Sequence, residues 1–127
     1  MLKPTRDNND SRLVAELDTN ILVDGLVEAD EANLVVNWWT HPSGYDDQFK
    51  FHYVESSGYD CGWHRQPHPD ESEIPFDHFQ QRASPEDEYQ YQGVDFQEET
   101  PAGLVWEVTA AQLERVIRSR YDPDFNP

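Results

Sequence analysis

The chain has 127 residues, of which 36% are hydrophobic, and 26 Asp and Glu against 9 Lys and Arg give a formal net charge of −17. This length suits one ordinary domain, and an aromatic content of 13% is too high for a disordered chain, so we expect a folded domain with a small core. The acidic balance argues against DNA as a partner, because phosphate binding depends on a basic surface.

The balance of charges also indicates a habitat. Lys3 and Lys50 are the only lysines, and an acid excess with so little lysine resembles the composition of proteins from haloarchaea, which keep molar salt in the cell. Cys61 is the only cysteine, so no intramolecular disulfide argues for secretion. No apolar run approaches the ~20 residues that span a bilayer. These features predict a halophilic, cytoplasmic protein that does not associate with a membrane.

The first third of the chain predicts one short helix and two strands. Residues 1–11 are polar and read as a frayed tail. An apolar pair four residues apart indicates one or two helical turns over 12–17. Alternating apolar residues predict a strand over 20–27, with a glycine bulge, and a second strand over 33–40.

A β-hairpin follows, with a turn at Ser56-Ser57-Gly58. Its first strand, about 47–55, places Phe49, Phe51 and Tyr53 on one face and Lys50, His52 and Val54 on the other. Its second strand, about 59–66, alternates between Tyr59, Cys61, Trp63 and Arg65 on one face and Asp60, Gly62 and His64 on the other.

The last part of the chain predicts a loop, one more strand and a helix. Four prolines make 66–87 a loop, and 88–96 alternates as a fifth strand. Thr100 followed by Pro101 is typical of a helix start, and an apolar stripe follows at Val105, Val108, Leu113, Val116 and Ile117. The predicted fold is α+β: an antiparallel β-meander of four to five strands packed against a C-terminal helix. It forms one domain over 12–121, followed by a tail over 122–127.

Several motifs resemble the TumE-like toxin family of toxin–antitoxin systems. Its strand of alternating aromatics and its glycine turn match Phe49-x-Phe51-x-Tyr53 and Gly58. Trp63-His64-Arg65 stands where the family has an arginine motif, and Pro67-His68 and Pro75-Phe76-Asp77-His78 stand where it has paired histidines. The sequence departs from the family pattern in two ways: no Asp-Asn pair follows Arg65, and each doubled histidine is single.

The resemblance implies a toxin with an antitoxin-like protein partner, and RNA as its substrate. Histidine and arginine are the residue types that metal-independent phosphodiester cleavage needs, because a base takes the 2′-hydroxyl proton and a guanidinium stabilises the phosphorane. The candidate catalytic residues are His64, Arg65, His68 and His78. Neither a cofactor nor a metal is predicted.

Two other hypotheses remain open from the residues alone. Asp60, His64, His68 and His78 are potential zinc ligands, although their spacing matches no strict zinc motif. A non-enzymatic acidic module that binds a protein is the alternative function, since Trp38, Trp39 and Trp106 are the kind of aromatic residues that anchor interfaces. Catalysis predicts histidines that converge, whereas a binding module predicts scattered histidines and an exposed apolar patch. The sequence does not determine the oligomeric state.

Overall fold

A computed structural model describes residues 2–7, 10–39, 48–65 and 74–125. The predicted α+β class is confirmed, but the sheet has seven antiparallel strands rather than four or five, in the order β1 to β7. The strands are β1 (Leu2–Asp7), β2 (Asp10–Leu17), β3 (Ala32–Trp39), β4 (Gln48–Glu55), β5 (Asp60–Arg65), β6 (Asp77–Arg82) and β7 (Gln90–Gly93). Each strand pairs with the next along the chain, so the sheet is a continuous meander.

The C-terminal helix consists of α1 (Pro101–Trp106), a π-helical segment (Glu107–Leu113) and α2 (Glu114–Tyr121). It begins as predicted, because the Thr100 hydroxyl accepts a hydrogen bond from the Gly103 amide at 3.0 Å and Pro101 occupies the first turn. No helix among the described residues is long and apolar enough to cross a bilayer.

The π-helical segment explains which face of the helix is buried. The buried residues are Leu104, Val108, Leu113 and Ile117, so their spacings are four, five and four. In a regular α-helix, Leu113 would be rotated away from the buried face, because it follows Val108 by five residues rather than three or four. The wider turn of the π-helix places Leu113 on the same face as Val108. The predicted stripe was wrong at its start, since Val105 is exposed and Leu104 is buried instead.

The aromatic face of the sheet forms the core. Phe49, Phe51 and Tyr53 on β4 are fully buried, and their neighbours across β5 include Cys61 and Trp63. Together with the buried residues of the C-terminal helix they form one hydrophobic cluster. The face of the sheet opposite this cluster is called the polar face below.

The N-terminal third differs from the prediction. Residues 10–17 form β2 rather than helical turns, since Ala15 and Leu17 pack against the core beside their β3 partners. Leu2–Asp7, within the segment read as a tail, pairs with β2 as β1. The strand predicted over 20–27 is instead a 3₁₀ turn at Leu22–Gly25.

That turn packs on the core and makes a surface ion pair with the C-terminal helix. Its backbone has positive φ at Val23 (47°) and Asp24 (57°), a conformation that cannot continue a strand. Leu22 and Val23 pack against the core cluster, so burial of these side chains favours the turn over the local alternation. The Arg118 guanidinium also donates to the exposed Asp24 carboxylate at 2.9 Å, which adds little because the pair lies at the surface.

Candidate functional site

A row of polar side chains crosses the polar face of the sheet. Arg12 lies opposite Asn37, Asn37 opposite Lys50, Lys50 opposite His64, and His64 opposite His78. Residues that face each other on antiparallel strands project to the same side, so these five side chains form one line across β2 to β6. This line is called the histidine row.

A hydrogen-bonded chain joins the row to a carboxylate. His52 Nε2 lies 2.7 Å from Asp60 Oδ1, and His52 Nδ1 lies 3.3 Å from His64 Nε2. Because a carboxylate only accepts, His52 donates its Nε2 proton to Asp60, and in neutral His52 the Nδ1 atom then accepts from His64. Asp60 therefore fixes the tautomer of His52 and, through it, the orientation of His64.

Asp60 is buried and held by two further donors. Arg82 Nε donates to Asp60 Oδ2 at 2.7 Å, and the Tyr89 hydroxyl donates to Oδ1 at 2.6 Å. Burial by itself raises the pKa of Asp60, but the hydrogen bonds from Tyr89, Arg82 and His52 outweigh it, so the pKa lies below its ordinary value. The carboxylate thus keeps its negative charge at neutral pH beside the histidine pair.

His78 completes the cluster from the next strand. Its ring centre lies 5.1 Å from that of His64, and both residues are buried. His78 Nδ1 donates to the Pro75 carbonyl at 2.9 Å, which settles that nitrogen as a protonated one. His78 Nε2 lies 3.1 Å from Gln80 Oε1, so this nitrogen also faces an oxygen that can accept a hydrogen bond.

A glycine makes room for the histidine pair. Gly62 lies opposite His52 on β5. A Cβ atom at Gly62 would lie less than 3.0 Å from both His52 Nδ1 and His64 Nε2, closer than side-chain atoms approach. The two rings therefore meet directly above the glycine backbone, and any side chain there would separate them.

The surroundings of the row are unlike the rest of this acidic chain. The neighbouring line across the sheet contains no carboxylate, and its members are Val14, Val35, His52, Gly62, Gln80 and Tyr91. Aromatic rings flank the row, since Lys50 Nζ lies 5.9 Å from the Trp39 ring centre, and the Tyr89 and Tyr91 rings are 6.2 Å apart. The centre of the polar face therefore combines positive charge, titratable nitrogen and aromatic surface.

Comparison with known proteins assigns the family. The family model described as toxin TumE matches residues 3–113, which is most of the chain and includes every residue of the histidine row. The chain belongs to the TumE toxin family. No curated protein and no solved structure matches it.

For this TumE-family toxin, the structure brings together two of the four predicted site residues. His64 and His78 are neighbours across β5 and β6, although His78 was expected in a loop. Arg65 lies on the core face, where it forms a bidentate ion pair with Asp77 at 2.9 and 3.1 Å and stacks on Phe49. His68 lies outside the described residues.

Sequence reasoning did not select His52 and Asp60 as catalytic residues, although they link His64 to a carboxylate. His52 was placed on the correct face of β4, and Asp60 was considered only as a metal ligand. The signal was present in the hairpin, because a turn at 56–58 pairs His52 with Gly62 and so puts His52 diagonally beside His64. Within the described part of the chain, no group of three or more His, Cys, Asp or Glu side chains is placed to hold a metal ion.

Proposed function

We propose that this TumE-family protein is a metal-independent ribonuclease toxin and that the histidine row, with His52 and Asp60, is its active site. The observation that carries the proposal is the chain from Asp60 through His52 to His64, with His78 one strand away. An ionised carboxylate behind two histidines is an arrangement that stabilises a proton taken up by the outer ring.

In the first half of the reaction, His64 acts as the general base. It takes the proton of a ribose 2′-hydroxyl, and the positive charge that it gains is stabilised by Asp60 through His52. The 2′-oxygen forms a bond to the adjacent phosphorus. This chemistry needs the 2′-hydroxyl, so RNA is the substrate class and DNA is not.

In the second half, His78 acts as the general acid. The bond from phosphorus to the 5′-oxygen breaks, and His78 gives that oxygen a proton, which leaves a 2′,3′-cyclic phosphate on one fragment and a 5′-hydroxyl on the other. Lys50, opposite His64 in the row, supplies the positive charge for the phosphorane that was earlier assigned to Arg65. Arg65 remains in its partly exposed ion pair with Asp77 on the core face of the sheet.

The flanking aromatic rings support a single-stranded substrate. Bases of single-stranded RNA stack on exposed aromatic rings, whereas the bases of a duplex are already stacked on each other. Trp39 lies beyond Lys50 on one side of the row, and Tyr89 and Tyr91 lie beside His52 and His78 on the other. A phosphate over Lys50 and His64 would place the neighbouring bases towards these rings.

Growth of a bacterial host that expresses the protein tests this function. Induction of the wild type should arrest growth, and His64→Ala at equal expression should allow growth to continue. Equal arrest by both proteins would contradict an active site at His64. No arrest by the wild type, with RNA also left intact by the purified protein, would contradict a ribonuclease toxin.

The acidic surface supports a second part of the proposal, which is that the toxin works in a halophile cytoplasm. At −17 the folded chain repels itself, and salt shortens the range of this repulsion from ~10 Å at 0.1 M to ~3 Å at 1 M. The melting temperature should therefore rise as KCl is increased from ~0.1 M towards molar levels. A melting temperature that does not change with KCl would contradict the halophile proposal, and sorbitol of equal osmolality is the control for nonspecific stabilisation.

The alternative function, a module that binds a protein, is supported by a different surface. Trp106 is 71% exposed on the C-terminal helix, on the opposite side of the molecule from the histidine row. A toxin that is held inactive by an antitoxin needs such a surface in addition to an active site, so this observation is compatible with the ribonuclease proposal.

A further inference from the structure

The C-terminal helix has a second apolar stripe, which faces away from the sheet. Its members recur at helical spacing, and four of the five are exposed: Ala102, Val105, Trp106, Thr109 and Ala110, with Thr109 half-buried. Val105 is 40% and Trp106 is 71% exposed. The Thr109 hydroxyl donates to the Val105 carbonyl at 2.6 Å, so its polar group is satisfied within the helix.

The one charged residue within this stretch points away from the stripe. Glu107 turns back to accept hydrogen bonds from the backbone amides of Gln97 and Glu98, the shortest of them 2.8 Å. Leu104 and Val108 on the opposite face of the same helix are buried and supply its contacts with the core. The outward stripe is therefore not needed for the core, and an exposed tryptophan among small apolar residues is typical of a surface that binds a partner.

The charge around the stripe indicates the kind of partner. Asp95, Glu98 and Glu99 are exposed just before the helix start, and the chain has neither Lys nor Arg between Arg82 and Arg115. These carboxylates repel a second copy of this chain, which would bring the same acidic segment to a symmetric contact. They attract a partner whose apolar face is flanked by Lys and Arg.

We propose that the Trp106 stripe binds a basic amphipathic helix of the antitoxin. Two helices that pack along such a stripe approach most closely where their side chains are small, which Ala102 and Ala110 provide on either side of the Trp106 ring. The stripe lies on the far side of the sheet from the histidine row, so an antitoxin bound there would leave the row uncovered. Binding at the stripe therefore serves to anchor the antitoxin and does not itself block RNA.

The test uses the full-length protein and two synthetic peptides of equal length. One is an amphipathic Leu/Lys helix and the other is the same helix with every Lys replaced by Glu. Affinities are measured by calorimetry at ~0.15 M and ~1 M KCl, because the higher salt screens charge and leaves apolar contacts. The variants are Trp106→Gln and, as the matched control, Ile21→Gln, since Ile21 is also a highly exposed apolar residue at 74% but lies outside the stripe.

The Leu/Lys peptide should bind the wild type and Ile21→Gln equally, and Trp106→Gln should weaken its binding at least about tenfold at ~1 M KCl. At ~0.15 M KCl, where charge is less screened, the Leu/Glu peptide should bind none of them. Equal binding by Trp106→Gln, equal loss in Ile21→Gln, or no binding of the Leu/Lys peptide to the wild type would each overturn the proposal.

A wild-type dimer in sedimentation that Trp106→Gln abolishes would also overturn the proposal, because the stripe would then bind a second copy of this chain. RNA cleavage by Trp106→Gln should equal that of the wild type, so the result is independent of the ribonuclease proposal.

Discussion

Replacement of His64 by alanine should lower the rate of RNA cleavage at least about 100-fold, because general acid–base catalysis by one histidine contributes about 10²- to 10⁴-fold. His64 is the member of the row that joins His78 on one side to His52 and Asp60 on the other. The variant loses both the base and the group through which the carboxylate acts. The measurement is single-turnover cleavage of a labelled single-stranded RNA by purified protein.

Gly62→Ala is a companion variant that changes no titratable group. Its new methyl group should push the His52 and His64 rings apart and lower the cleavage rate, although both histidines are still present.

A rate within about threefold of the wild type for His64→Ala, in a variant that melts at the wild-type temperature, would show that the row is not the catalytic centre.

Replacement of Phe51 by alanine should lower the free energy of unfolding by ~3–5 kcal/mol, the usual range for truncation of a buried phenylalanine. Phe51 has no exposed surface, and its ring packs edge-on against Phe49 at 5.2 Å and Trp38 at 6.3 Å. For a domain of this size such a loss is a large fraction of the total stability. Urea unfolding followed by circular dichroism measures the change.

Val54→Ala is the control for the same strand. Val54 alternates to the other face of β4 and is 39% exposed, so its truncation should cost less than about 1 kcal/mol. A cost for Phe51→Ala as small as that would mean that the aromatic face of β4 is not the core and that the register of the hairpin differs from the one described.

The fold was predictable where a local pattern and the burial of one face agree. The hairpin of β4 and β5 alternates cleanly, and the helix start at Thr100 and Pro101 depends on capping within a few residues. The prediction failed where distant contacts decide the structure. Val23 and Asp24 were predicted to lie in a strand but form a turn with positive φ, because Leu22 and Val23 pack against a core built by residues distant in sequence.

Prolines explain why β6 was missed. The segment 66–87 contains four of them, which argue against a central strand. In the structure, Pro75 lies just before Asp77–Arg82 and Pro85 lies just after it, so the strand fits between them and no proline falls inside β6. The position of His78 in the sheet, and with it half of the candidate site, followed from this strand and was not accessible from the pattern alone.

The remainder of the site depends on register. Alternation assigns His52 and His64 to one face, but only the pairing of β4 with β5, and of β5 with β6, places His52, His64 and His78 side by side. Arg65 was selected because it stands in the family's arginine motif and offers a guanidinium, although alternation already placed it on the face opposite His64. The cation proposed to stabilise the phosphorane is therefore Lys50, on the same face as His64, and not Arg65.

The most direct measurement of the central claim, that the histidine row cleaves RNA through its 2′-oxygen, is made on the substrate. A single-stranded RNA is first mapped for its cleavage position by the wild-type protein in EDTA. The same RNA is then made with one 2′-deoxynucleotide on the 5′ side of that bond. We predict cleavage of the all-ribose RNA, with a 2′,3′-cyclic phosphate and a 5′-hydroxyl at the new ends, and no cleavage at the substituted position. Equal cleavage of both RNAs, or cleavage that appears only when a divalent metal is added, would contradict the account.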